Sequence, residues 1–326
     1  MIASVLAALM LIFSCEKADE NAIATAGIYE KENLTTTVSG VKINGGKVEI
    51  SKTGQISFYN ILNGYGLYDF NCKIKKEGDI YTFQHDYKDV GMNFQIAGII
   101  SDKKADIKVL SQSKALDLIK SWEGNVTNES LDMFSFKLEN KSNKVMWQGK
   151  EISTDEFNEN ILTWLNLIGG MGLQGLKITF QENGFLSIQF TNPLDKQETS
   201  VENLARYNYN KAANLLIIDG SPLSIEEKNN TSELPITVLH IPFIPEIKGD
   251  KLSISIPYQV FKEFIPMIPT GEDLQKLLSV LDKLLPPDMA AFAPIIKALV
   301  NDIVTAITDE DVTNISIALK LQAVQE

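Results

Sequence analysis

A mainly β chain with helices inserted between its strands is the fold class this sequence predicts, and three patterns carry the prediction. Apolar residues alternate in short runs from Val41 to Val109, with Gly, Asn and Asp at the breaks. No helical periodicity separates those runs. Beyond residue 113 similar runs continue, now divided by stripes of Leu and Ile at helical spacing. The expectation is an antiparallel β-meander or barrel over 28–112, then a β domain carrying three helices over 113–326.

The first element is not part of either domain. Met1 to Ser14 are almost all apolar and end in Leu11-Ile12-Phe13-Ser14, directly before Cys15. A short apolar run closed by a small residue is a secretory signal, and a small residue followed by Cys has the form of a bacterial lipobox. The run is too short to cross a bilayer, which takes roughly 20 residues. Residues 1–14 are therefore expected to be removed, with lipid on Cys15 and 15–27 as a polar tether. No Lys or Arg precedes the apolar run, as one normally does, and this is read as a start codon placed too far downstream.

Strand signals then follow closely. Val41–Ile43 and Lys47–Ile50 flank Asn44-Gly45-Gly46, the pattern of a hairpin. Gln55–Leu62, Tyr68–Lys75, Ile80–Tyr87, Met92–Ile96 and Ala105–Val109 complete the set. Alternation places Tyr68, Phe70, Cys72 and Ile74 on one strand face, so Cys72 reads as a buried, inert thiol. With Cys15 lipidated it has no intramolecular partner.

Ser113–Ser121 reads as a short linking helix, and Met133–Leu138 and Val145–Trp147 as strands. Ser153-Thr154-Asp155-Glu156 is a capping box. Behind it Phe157, Ile161, Trp164, Leu165 and Ile168 share a helix face, and Gly169-Gly170 marks the stop. Further strands are expected at Leu176–Phe180, Phe185–Phe190, Ala205–Tyr209, Leu215–Ile218, Pro235–Phe243 and Lys251–Tyr258. A second helix carries Leu274, Leu277, Leu278, Leu281, Leu284 and Leu285. A third spans Met289–Thr308, with Phe292, Ile295, Ile296, Leu299, Ile303 and Ile307 on one side. The alternating run Ile315–Ala323 closes the chain, and makes the helix pair an insertion between neighbouring strands of a sheet.

Composition limits the function. The net charge of −12 disfavours nucleic acid, whose phosphates call for a basic patch. It also disfavours electrostatic attachment to anionic lipid. The chain holds two histidines, His85 and His240, and one arginine, Arg206. A zinc site takes three or four ligands, and no His-x-His or Cys-x-x-Cys spacing supplies them. No Gly-x-Ser-x-Gly elbow accompanies either histidine. Asp309-Glu310-Asp311 lacks the register of a calcium loop and reads as a solvated turn. Neither a catalytic set, a metal site nor a cofactor site is assigned. The one candidate ligand-binding row is Tyr81, Phe83, His85 and Tyr87, on one face of one strand. They either line a ligand cavity or pack at the sheet margin, with the nitrogens of His85 satisfied.

Taken together, the Ser14-Cys15 lipobox and the Val41–Val109 meander with Gly45-Gly46-Lys47-Val48 resemble a known group. So do the strand pair around Lys177-Ile178-Thr179-Phe180 and Asn183-Gly184, and Arg206-Tyr207-Asn208-Tyr209 ahead of an apolar strand. The layout is similar to that of surface lipoproteins of gut Bacteroidales, which carry calycin-like (lipocalin-like) β-barrel domains. The resemblance implies calycin-like architecture in the second domain and an outer-membrane location, and it implies no activity. Lys17-Ala18-Asp19-Glu20 is close to the surface-export tag of such proteins, although Ala18 interrupts it, so the cell surface and the periplasmic face both stay open.

The resulting expectation is a monomeric, non-enzymatic cell-envelope protein, anchored to the membrane by its N-terminal lipid and binding a glycan or a small apolar molecule. The alternative is a structural or accessory docking subunit of an outer-membrane assembly. Mass spectrometry of protein from a native-type host should find an acylated Cys15, and Cys15→Ala should accumulate unprocessed or leave the membrane fraction. A variant that fractionates like the parent removes the lipoprotein reading.

Overall fold

The computed structural model describes residues 20–124, 126–127, 130–131, 133–172, 175–191, 196–220, 239–265, 271, 274 and 293–324. The lipobox and most of the expected 270–285 helix lie outside the described residues. The chain forms two compact units. Unit 1 takes residues up to Ile119 together with Phe180–Ser187 and Glu202–Ile241. Unit 2 takes Lys120–Thr179, Ile188–Val201 and Pro242–Glu326. The sequence suggested two consecutive domains, whereas these units interleave.

Unit 1 opens with helix α1 (Glu20–Thr25), whose Ala22 and Thr25 are buried. Residues 20–25, within the segment expected to be a tether, are therefore helical. Ten strands follow. They are β1 (Gly27–Glu30), β2 (Leu34–Val38), β3 (Val41–Ile43), β4 (Lys47–Ile50) and β5 (Gln55–Tyr59), then β6 (Leu67–Asn71), β7 (Lys75–Glu77), β8 (Ile80–Lys88), β9 (Met92–Ser101) and β10 (Lys104–Ser113). They form a four-stranded sheet in the order β1-β4-β5-β6 and a six-stranded sheet in the order β3-β2-β10-β9-β8-β7. One core joins the two sheets, with Val48, Ile56 and Phe58 from the first against Val38, Phe94 and Ile107 from the second. Phe185, from far along the chain, is part of the same core.

Four details depart from the sequence reading. β3 and β4 are not a hairpin: β3 pairs with β2, and β4 pairs with β1 and β5. The two-residue turn Ser39-Gly40, with φ of 45° and 86°, captures β3 first. Such paired positive φ values match the twist of a hairpin, so the Gly45-Gly46 link is left to cross between sheets. The domain is also not wholly antiparallel, because β2 runs parallel to β10, with Leu34 opposite Ala105 and Val38 opposite Val109. Ser113–Ser121 makes a single turn instead of a helix, with Leu118 and Ile119 both donating to the Ala115 carbonyl. Cys72 lies just past the end of β6 and is half-buried rather than fully buried. Burial still pushes its thiol pKa up to about 11.

The strands after residue 120 are β11 (Ser121–Gly124), β12 (Val126–Thr127), β13 (Ser130–Leu131), β14 (Phe134–Asn140), β15 (Lys144–Trp147), β16 (Lys150–Ser153) and β17 (Lys177–Phe180). They continue with β18 (Phe185–Thr191), β19 (Glu198–Asn210), β20 (Leu215–Gly220), β21 (Leu239–Lys248), β22 (Lys251–Ile256) and β23 (Val312–Ala323). Nine of them form a sheet in the order β11-β17-β18-β19-β20-β21-β22-β23-β14. β11 pairs with β17 on one side and with β23 on the other, so the strand order returns on itself and the sheet is partly ring-like. The chain is thus mainly β, as the alternation predicted.

Unit 2 also holds helices α2 (Thr154–Gly172), α3 (Tyr258–Phe264) and α4 (Ala293–Ile307). The Ser153 hydroxyl accepts from the Glu156 backbone N–H at 3.1 Å, as the capping box requires. α2 runs through Gly169-Gly170 to Gly172. Glycine inside a helix costs only about 1 kcal/mol relative to alanine, so a glycine pair permits a stop without imposing one. Phe157 of α2 meets Trp147 and Phe136 edge-on, at ring distances of 5.4 and 6.1 Å. Leu299 of α4 joins that core. α4 lies in sequence between β22 and β23, which are directly paired, so it is an insertion between neighbouring strands.

Gly98 in β9 offers a test of the unit 1 core. A Cβ placed there would lie 2.1 Å from the Phe83 ring, and Phe83 is only 2 % exposed. Gly98→Ala should therefore cost about 1–3 kcal/mol through overpacking, read as a lower urea midpoint. An unchanged midpoint would show that the ring has room to retreat.

Candidate functional site

β8 presents two different surfaces. The candidates Tyr81, Phe83, His85 and Tyr87 alternate with Gln84, Asp86 and Lys88, and the two sets face opposite sides of the sheet. The first set points into unit 1, where the structure brings Phe83, His85 and Tyr87 together with Tyr65, Tyr68, Phe70 and Phe94, while Tyr81 packs at the edge of the same core with the Lys76 ammonium 5.7 Å from its ring centre. His85 stacks on Phe70 at 4.3 Å, and Tyr87 lies 4.5 Å from Tyr68 and stacks on Phe94. Tyr65 and Tyr87 share a hydroxyl hydrogen bond of 3.1 Å. These rings are engaged with one another and form a packed aromatic cluster.

The electrostatics of that cluster follow from burial. The Tyr68 phenol is pushed up to about 12, first by burial and then by Tyr87. It stays protonated and donates to His85 Nε2 across 3.0 Å. Burial also lowers the pKa of His85, against the smaller opposing pull of Asp86. Burial and the hydrogen bond from Tyr68 both favour the neutral imidazole.

A second polar group in unit 1 had little signal in the sequence. Arg206 in β19 is buried and lies 3.5 Å from Asp219 in β20, whose side chain is 1 % exposed. Asp219 also accepts from the Gly64 N–H at 2.8 Å and contacts His240 Nδ1 at 2.7 Å. His240 Nε2 meets Asn60 Oδ1 at 2.9 Å. The guanidinium donates to the carbonyls of Asn60 and Ile61. Every member of this group is occupied by another, so it holds the 60–66 loop in place. The one sign of it in the sequence is that the sole arginine of the chain lies within the strand run Ala205–Tyr209.

The open surface lies on the opposite side of β8. Register aligns Asp86, Gln95 and Leu110 in one row across β8, β9 and β10, and Lys88, Asn93 and Gln112 in the next. Together they border a groove of about 310 Å³. Asp86, Lys88, Gln95 and Gln112 are exposed, and so is Leu110, at 60 %. Gln112 Nε2 donates to Glu182 Oε1 at 2.9 Å. Asn93 Oδ1 is buried and accepts no hydrogen bond among the described residues, a state that costs about 1–3 kcal/mol unless a donor is supplied. The groove thus combines amide groups, which both donate and accept, with one carboxylate and one ammonium. Asp309 and Asp311 of the considered calcium loop form a turn in which Asp311 pairs with Lys141 at 3.6 Å. Among the described residues no cluster of His, Cys, Asp and Glu could hold a metal ion.

No protein-family model matches the chain, and no curated protein matches it in sequence.

The neutral His85 gives unit 1 a pH dependence of definite sign. Its folded pKa lies below the unfolded value of about 6.5, so protonation favours the unfolded chain. Its contribution is complete above that value and declines as the pH falls through it. Denaturation midpoints measured between about pH 7.5 and pH 5 should drop, and His85→Phe should flatten the slope. An identical slope in the variant would remove His85 as the source.

Proposed function

We propose that this chain is a non-enzymatic, lipid-anchored protein of the cell envelope that binds a glycan along the solvent-facing side of β8, β9 and β10. The groove carries this reading. Its lining offers paired donors and acceptors at fixed positions on a rigid sheet, which suits hydroxyl-rich ligands. A small apolar ligand fits it less well, because it would strip water from Asp86, Lys88, Asn93, Gln95 and Gln112 without replacing their hydrogen bonds. The aromatic row Tyr81, Phe83, His85 and Tyr87 then serves as the support that fixes the strand, and the groove residues make the contact. The lipid anchor rests on Ser14-Cys15 and the apolar run before it, and the calycin-like reading on the returning strand order.

One observation favours the docking-subunit alternative. Ile99 and Leu110 are 41 % and 60 % exposed and occupy outward register positions of the same sheet. A protein partner would use those two side chains, whereas a glycan would use the amides.

Affinity electrophoresis through gels cast with neutral polysaccharides such as xylan, mannan and β-glucan separates the two readings. At least one should retard the protein, and Asn93→Ala with Gln95→Ala should weaken that retardation about ten-fold, a loss of about 1.4 kcal/mol. If none retards it and Leu110→Asp abolishes an assembly isolated from the native envelope, docking replaces glycan binding. Consumption of the polysaccharide would overturn the non-enzymatic part.

A further inference from the structure

We infer that unit 1 seats the end carrying α1 on the headgroup layer of the membrane that anchors it, with Ile23 and three lysines as the contact surface. This rests on the lipid-anchor reading, because acylated Cys15 sets how far the unit can stand from the bilayer.

Chain length limits that distance. Cys15 precedes Glu20 by five residues, a stretch that reaches at most about 18 Å when fully extended. The helix that follows does not lengthen the tether, because it is fixed to the core. Ala22 and Thr25 are each 1 % exposed. Asn21 Nδ2 donates to the Ile74 carbonyl at 3.1 Å, and the Tyr29 hydroxyl donates to the Thr25 carbonyl at 2.7 Å. A Cβ on Gly54, in the turn between β4 and β5, would lie 3.7 Å from that of Ala22. Lipid on Cys15 therefore holds α1 and its neighbours close to the headgroups.

The residues presented there suit such a surface. Ile23 is 48 % exposed on a helix whose Ala22 and Thr25 face the core, and an isoleucine gains by leaving water for the interface. Across α1 and the two segments it meets, 51–55 and 71–75, the charged residues are Glu20, Lys52, Lys73 and Lys75, all exposed. Three lysines against one carboxylate give this end the opposite sign to the chain, whose net charge is −12. Anionic headgroups attract lysines held within a Debye length of the surface. The arrangement also orients the unit. β5 runs from the 51–54 turn beside α1 to the 60–66 loop, and Tyr65 of that loop bonds Tyr87. The groove bordered by Tyr87 is thus held on the side away from the membrane.

Depth-dependent quenching of the lipidated full chain tests the inference, in phosphatidylethanolamine–phosphatidylglycerol vesicles carrying a headgroup nitroxide lipid. A fluorophore is placed at Ile23→Cys, Lys73→Cys or Leu116→Cys, each in a Cys72→Ala background. Leu116 is 79 % exposed, in the turn where the Lys114 N–H bonds the Gly91 carbonyl, and serves as the distant control. Probes at 23 and 73 should lose most of their emission and the probe at 116 should keep it. Adding Lys52→Glu and Lys75→Glu should restore emission at 23 with Cys15 still acylated by mass spectrometry. Equal quenching at all three positions, or quenching at 116 alone, would overturn the inference while an acylated Cys15 leaves the lipid-anchor reading standing. A Cys15 without lipid removes both. Shielding of position 23 that persists in detergent, together with a dimer on sedimentation, would overturn the membrane contact and assign this face to a second copy of the chain.

Discussion

Unit 1 depends on a buried charge pair. Arg206 and Asp219 are 7 % and 1 % exposed, and taking two charges out of water costs several kcal/mol each before any attraction is counted. Their mutual attraction alone would not offset that cost. Supplementary hydrogen bonds do: the guanidinium reads the carbonyls of Asn60 and Ile61, and the carboxylate takes the N–H of Gly64 and the ring of His240. Burial lowers the pKa of Arg206 and Asp219 opposes that shift, so each partner keeps the other tolerable. Loss of either would leave an uncompensated buried charge, typically worth 3–5 kcal/mol.

Around this pair the loop between β5 and β6 becomes a polar plug with its own lattice. Asn63 Nδ2 donates to the Gly184 carbonyl at 2.8 Å, and Asn208 Nδ2 donates to the Asn63 carbonyl at 3.1 Å. Gly91 has to be glycine for this arrangement, since a Cβ there would lie 2.2 Å from Asn208 Oδ1. The 60–66 loop in turn positions Tyr65 against Tyr87, and hence the inner face of β8. The groove on the other side of that strand is thereby built on a surface fixed from within.

Much of the fold was legible in the sequence because local rules decide it. The alternation of Ile80–Lys88 gave both faces of β8, and Ser153 with Glu156 gave the start of α2. The end of α2 was not legible, since Gly169-Gly170 allows two outcomes and only tertiary packing chooses between them. The parallel pairing of β2 with β10 was equally hidden, because no property of Leu34–Val38 names its partner. For the candidate site, the aromatic row was visible, but its neighbours arrive from elsewhere, Tyr65 from the 60–66 loop and Tyr68 and Phe94 from other strands. The outward residues Asp86, Asn93 and Gln95 looked like ordinary solvated positions, and only their register aligns them. His240 and Asp219 are 21 residues apart and Asn60 is 180 from His240, a separation that periodicity does not reach.

The interleaving of unit 1 along the chain carries a consequence in time. The bond from Arg206 to the Asn60 carbonyl closes a span of 146 residues, and Phe185 enters a core otherwise built from residues 22–109. Contacts this distant in sequence form late, because chain entropy is spent before they return anything. A ribosome making this chain has emitted both hydrophobic sheets well before it reaches β19, β20 and His240. During that interval the 60–66 loop has no arginine to hold it, and the early segment is a collapsed chain without its keystone. The core and the polar plug of unit 1 are therefore complete only after His240 has been made, about three quarters of the way along the chain.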